Sequence, residues 1–119
     1  MIRIELPWPN GKLNPNSSKG RHWGSTTALR AIARTEAWGL MREALGRIPL
    51  QSTAGTFALS ITFVQPDKRA RDIDNLLAAL KPSIDGIADA MKVNDAQFNP
   101  ITITRAYGAR PGCVLVEVS

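Results

Sequence analysis

The sequence predicts one mixed α/β domain of the α+β kind, a small mixed sheet with two main helices in the order β-α-β-α-β-β. Three observations predict it. The chain has 119 residues, enough for one hydrophobic core and little more. Short stretches of period-2 alternation occur near both ends and in the middle. Between them lie two longer stretches with helical spacing. No internal repeat, linker or low-complexity segment divides the chain, so residues 1–119 are read as a single domain.

Ile2, Ile4 and Leu6 alternate with Arg3 and Glu5, a strand with one buried face that Pro7-Trp8-Pro9-Asn10-Gly11 ends. A long polar loop carrying Lys12, Lys19, Arg21 and His22 then reaches Gly24. Ser25 or Thr26 can cap a helix whose apolar face is Leu29, Ile32, Ala33, Ala37, Leu40, Met41, Ala44 and Leu45, with Gly46 as its stop. Arg30, Arg34, Trp38 and Arg42 fall four apart, either as a solvated face or as a row of phosphate contacts. Thr56 to Val64 reads as a second strand, with Phe57, Leu59, Ile61 and Phe63 on one side. A basic turn over 65–71 leads to a helix from Asp74 or Asn75 to about Met91, which Pro82 should bend or interrupt. Lys92 to Pro100 is expected as loop. Ile101–Ala106 and Val114–Val118 read as strands joined by a hairpin-like connection through residues 108–112.

Composition narrows the function. The formal net charge is +5, with a pI near 10.0, and such a surface favours an anionic partner, nucleic acid above all. Cys113 is the single cysteine and His22 the single histidine, so neither an intrachain disulfide nor a Cys/His zinc site can form. Cys113 sits in an apolar stretch as a small core residue. No apolar run approaches the roughly 18 residues that cross a bilayer, and the charged N-terminus does not resemble a signal peptide, which points to the cytoplasm.

Six of the ten acidic residues lie between Asp67 and Asp95. Asp72 and Asp74 straddle Ile73; on extended backbone both carboxylates face one way and repel unless a cation lies between them. Hard oxygen ligands suit magnesium, or manganese. The plain alternative is a helix N-cap and a first-turn charge. Lys68, Arg69 and Arg71 immediately precede the pair. Cationic groups to hold a phosphate backbone beside acids able to hold a metal are what phosphodiester hydrolysis needs. Asp95 can return to the same site, or act as a turn residue beside Asn94. Lys81, two helical turns past Asp74, can lean toward it or be a solvated charge. Asp85 and Asp89 are read as one solvated helix face, and Asp67 as a turn residue.

The run Pro66-Asp67-Lys68-Arg69-Ala70-Arg71-Asp72-Ile73-Asp74-Asn75-Leu76-Leu77, then Lys81, Asp85-Gly86-Ile87 and Asn94-Asp95-Ala96-Gln97, resembles the RusA family of Holliday junction resolvases. Leu6-Pro7-Trp8-Pro9 is similar to that family's N-terminal strand end, so the likeness spans nearly the whole chain. The resemblance implies a homodimeric, magnesium-dependent endonuclease, of a family with many prophage members, that cuts paired strands of four-way DNA junctions in recombination and repair. It implies Asp72, Asp74 and Asp95 as essential carboxylates and metal ligands. Counting from Asn75, the family's catalytic lysine falls on Ala78; counting back from Asp85 it falls on Lys81, three residues on and near one helical turn. Asn94 stands where an acid is common. Lys12, Lys19, Arg21, Lys68, Arg69 and Arg71 would track phosphates, and Trp8 and Trp23 read as buried anchors, with stacking at the branch point the alternative. A non-catalytic module for branched or structured nucleic acid shares the basic surface and needs no metal.

Overall fold

A computed structural model of the chain describes residues 1–14, 24–46 and 55–119. Its elements follow the expected order: β1 (Ile2–Pro7), α1 (Gly24–Leu45), β2 (Phe57–Gln65), α2 (Ile73–Met91), β3 (Phe98–Tyr107) and β4 (Cys113–Val118). Two short 3₁₀ turns, Gly11–Leu13 and Asp95–Gln97, flank α1 and α2. The fold is a single α+β unit, with a mixed four-stranded sheet ordered β1-β4-β2-β3.

Strands β2 and β3 pair in parallel, joined by α2, while β4 is antiparallel to both β1 and β2. Hence β1, β2 and β3 run one way. Each crossover advances in the same direction across the sheet, and right-handed crossovers of that kind lay both helices on one face. The rows on the core face cross strands in register, buried on β1, β4 and β2 and more open on β3. Ile4, Val116, Ile61 and Ile103 form one row, and Leu6, Val114, Phe63 and Arg105 the next. Ala37 and Met41 of α1 and Leu80, Ile84 and Ile87 of α2 close over them. Each such large apolar side chain contributes roughly 1.5–3 kcal/mol by leaving water.

Four expectations are corrected. The connection between β3 and β4 is no hairpin, because β2 lies between them. In the slot between β1 and β2, β4 has a hydrogen-bonded neighbour on each side; as β3's hairpin partner it would have one. Residues 108–112 therefore pass over the end of β2, where the Gly108 amide donates to the Gln65 carbonyl at 2.9 Å. Gly112 adopts φ +77, and a Cβ there would stand 2.9 Å from the Val64 carbonyl oxygen, so glycine is required. Pro82 does not interrupt α2, which is continuous because Leu80, Ser83 and Ile84 around it are buried. Ile32 is 61% exposed and lies outside the core, since the sheet meets α1 through the narrower line of Ala37 and Met41. Finally, β3 begins at Phe98, inside the stretch expected as loop, because Phe98 is buried and pairs with Phe57. Among the described residues no helix is long and apolar enough to cross a membrane.

Candidate functional site

The site is built around the turn that links β2 to α2. Asp67 Oδ1 accepts from the Arg69 amide at 2.9 Å, the turn role expected of it. Its carboxylate also pairs with Arg71 at 2.9 Å, and the Arg71 hydrogen bond, followed by that from Arg69, holds the carboxyl down to about 2. Arg71 is committed on several sides. It donates to Oε1 of Gln65, a side chain only 1% exposed, and its guanidinium lies 5.4 Å from the Trp8 ring centroid. Trp8 in turn packs edge-on against Phe63, so it is a partly buried anchor. Arg105, at the edge of the Phe63 row, donates to the Arg71 carbonyl at 2.8 Å. Arg71 thus holds the turn in place, while Lys68 and Arg69 are left exposed as cations.

Asp72 is the N-cap residue of α2 by backbone position, extended at φ −77 and ψ 134, but its side chain makes no capping hydrogen bond. It is exposed, and among the described residues its side chain receives only a long contact, 3.5 Å, from Asn75 Nδ2. Asp72 and Asn75 line a concavity of about 560 Å³ together with Trp8, Asn10, Asn14 and Arg69. Asp74 is not among its walls. The expectation that alternate residues face one way requires extended backbone, whereas the chain turns helical at Ile73, so that alternation does not carry through to Asp74. Lys12, exposed in the first 3₁₀ turn, is next to this concavity, its amide held by the Asn10 side chain at 2.9 Å. Lys19, Arg21, His22 and Trp23 lie outside the described residues.

Lys81 projects from the middle of α2 between two acids. It donates to Asp85 at 2.6 Å and to Asp95. Partial burial acts against the Lys81 charge, but the hydrogen bonds it donates to Asp85 and Asp95 outweigh it and raise the ammonium above its ordinary range. The same lysine hydrogen bond lowers the Asp95 carboxyl. Asp95 is free for this contact because Asn94 does the capping. Asn94 accepts from the Ala96 amide at 2.9 Å, and Gln97 Oε1 accepts from the Asn94 amide at 2.9 Å. Asp85 and Asp89, expected as a solvated face, are both paired, Asp89 with Arg34 at 2.6 Å. The signal for Asp85 was present in the sequence, since Lys81 lies four residues before it. Arg105 and Gln65 gave no such signal, because only strand register brings them to the turn.

Asp72, Asp74 and Asp95 carry the donor chemistry of a magnesium site but are not gathered at one point in the described arrangement. The carboxylates are suitable donors for magnesium, but among the described residues no three His, Cys, Asp or Glu side chains group to hold an ion. Asp72 lines the concavity, Asp74 is not among its walls, and Asp95 is held by Lys81. Cys113 is half-buried with its thiol pushed up by burial and then by Glu5, the state of a packed rather than reactive thiol.

No family model matches the chain. A protein of Xylella fastidiosa (strain Temecula1 / ATCC 700964), described as uncharacterized, is 36% identical over 98 residues. The match covers 82% of this chain and 63% of that protein, so the chain spans less than two thirds of its relative.

Proposed function

We propose that the protein is a metal-dependent endodeoxyribonuclease that resolves four-way DNA junctions by paired phosphodiester hydrolysis, as the RusA resemblance implies. The observation that carries the reading is the uncapped, exposed carboxylate of Asp72 in a concavity shared with Arg69, at a helix N-terminus. Lys68 and Arg69 would hold the phosphate backbone, and Lys12 would extend that contact. The Lys81 ammonium would offset charge that develops on the scissile phosphate. Asp72, Asp74 and Asp95 are the proposed catalytic carboxylates. Magnesium, or manganese, belongs to the proposal on the donor chemistry of these carboxylates. A homodimer would set two such sites against a junction with approximate two-fold symmetry.

The second reading, a non-catalytic module for branched nucleic acid, is favoured by one observation: Asp95 is occupied by Lys81. Incubating a labelled four-way junction with the protein across a magnesium titration separates the two. The nuclease reading expects paired nicks that appear with the metal. Retardation of the junction at every magnesium concentration without nicking would establish the module instead.

A further inference from the structure

We propose that the basic flank of α1 is a further binding surface for the phosphate backbone of duplex DNA. It extends the track that starts at the turn before α2 and rests on the DNA-acting reading above. At about 100° per residue, Arg30, Arg34, Trp38 and Arg42 occupy a sector of roughly 120°, and the two acids of α1, Glu36 and Glu43, fall on the opposite side of the helix. The helix therefore separates its charges, and the basic side faces α2. There Arg30, Arg34 and Lys81 line a groove of about 620 Å³ that also contains Leu13 and Ala78. Their chain neighbours Asn14 and Ala79 belong to the concavity that holds Asp72 and Arg69. The first 3₁₀ turn is thus the ridge between two adjoining hollows, each with arginine in its walls.

The row has charge to offer at both ends. Arg34 is paired with Asp89 and Lys81 with Asp85 and Asp95, whereas Arg30 and Arg42 make no ion pair among the described residues. Trp38, between them, is 46% exposed, a large ring left in water on a charged face. From Arg30 to Arg42 the helix axis rises about 18 Å, roughly five base-pair steps of a DNA strand. A polyanion is the partner that matches unpaired cations spaced along that length.

The test is a salt titration of binding with Arg30→Ala/Arg42→Ala, using a labelled four-way junction and a plain duplex between about 50 and 200 mM salt. Loss of two phosphate contacts should make the slope of log affinity against log salt shallower by about 1.8 and weaken binding about tenfold at the low-salt end, whatever the base sequence. Arg30→Lys/Arg42→Lys should restore most of the slope, and Glu36→Gln should bind no more weakly than the parent. An unchanged slope in the alanine variant, with its thermal melt also unchanged, overturns the inference. If that variant still cuts junctions with an unchanged slope, the surface is wrong and the nuclease reading stands. If the parent binds with the expected slope and never cuts, the surface stands and the nuclease reading fails. A parent that binds no DNA at low salt ends both.

Discussion

The Lys81 ammonium donates to the carboxylate of Asp95, fourteen positions further along the chain, and so ties the middle of α2 to the second 3₁₀ turn. This contact places a cation and one of the proposed catalytic acids side by side. It also raises the lysine's affinity for its proton and lowers that of the acid.

Replacing Lys81 should separate chemistry from binding. Lys81→Met is expected to lower the single-turnover rate of junction cleavage by about 10²-fold, the usual effect of removing one preorganised charge donor, with little change in junction affinity. In the same variant the Asp95 carboxyl should titrate closer to its ordinary range, which carboxyl-detected NMR reads directly. Wild-type cleavage in Lys81→Met would remove the lysine from the mechanism.

Asp72→Asn tests the carboxylate itself. The substitution keeps the shape and deletes the charge, and no capping hydrogen bond is at stake because the Asp72 side chain makes none. Junction retardation should therefore persist, and magnesium-dependent nicking should be lost. A variant that nicks as fast as the parent would clear Asp72 of a catalytic role.

The Asp67–Arg71 pair makes the basic turn acid-sensitive in a defined window. The Asp67 carboxyl lies near 2 in the folded protein, below the ordinary 3.9 or so of an unfolded chain. A folded value depressed in this way gives stability that is present above the unfolded value and lost as pH falls through the folded one. The pair should stay intact at pH 5 and break between about pH 4 and pH 2. NMR titration of Asp67, with Asp67→Asn as the control whose melting temperature lacks this component of acid dependence, checks the window.

Gly86 is where the two helices meet. A Cβ at this position would lie 2.2 Å from the Arg34 carbonyl oxygen and 3.1 Å from the Trp38 amide nitrogen. Both are backbone atoms, which cannot move aside as a flexible side chain can. Gly86→Ala should therefore destabilise the fold by about 1–3 kcal/mol or more, measured by urea unfolding at neutral pH. A denaturation midpoint equal to the parent's would show that α1 and α2 can separate without loss.

Periodicity was sufficient for the elements apart from the start of β3. Alternation at Ile2, Ile4 and Leu6 and at Phe57 through Phe63 marks strands with one buried face, and that face is buried. Helical spacing placed α1 and α2 within two or three residues of their observed ends. The acids and cations of the turn before α2 were legible as residue types at a given spacing, and so was the turn role of Asp67.

What the sequence by itself determined is local: which stretches are strand or helix, which residues carry charge, and that the whole is one basic α+β domain. Tertiary structure alone decided that β4 enters between β1 and β2, that Arg105 reaches the Arg71 carbonyl, and that Asp95 meets Lys81 instead of Asp72. Local pattern records which face of an element is apolar, because that follows from a repeat of two or 3.6 residues. It does not record which strand edge or carboxylate another element finds, since such pairings are settled by the free energy of the assembled sheet and the charges gathered around each side chain.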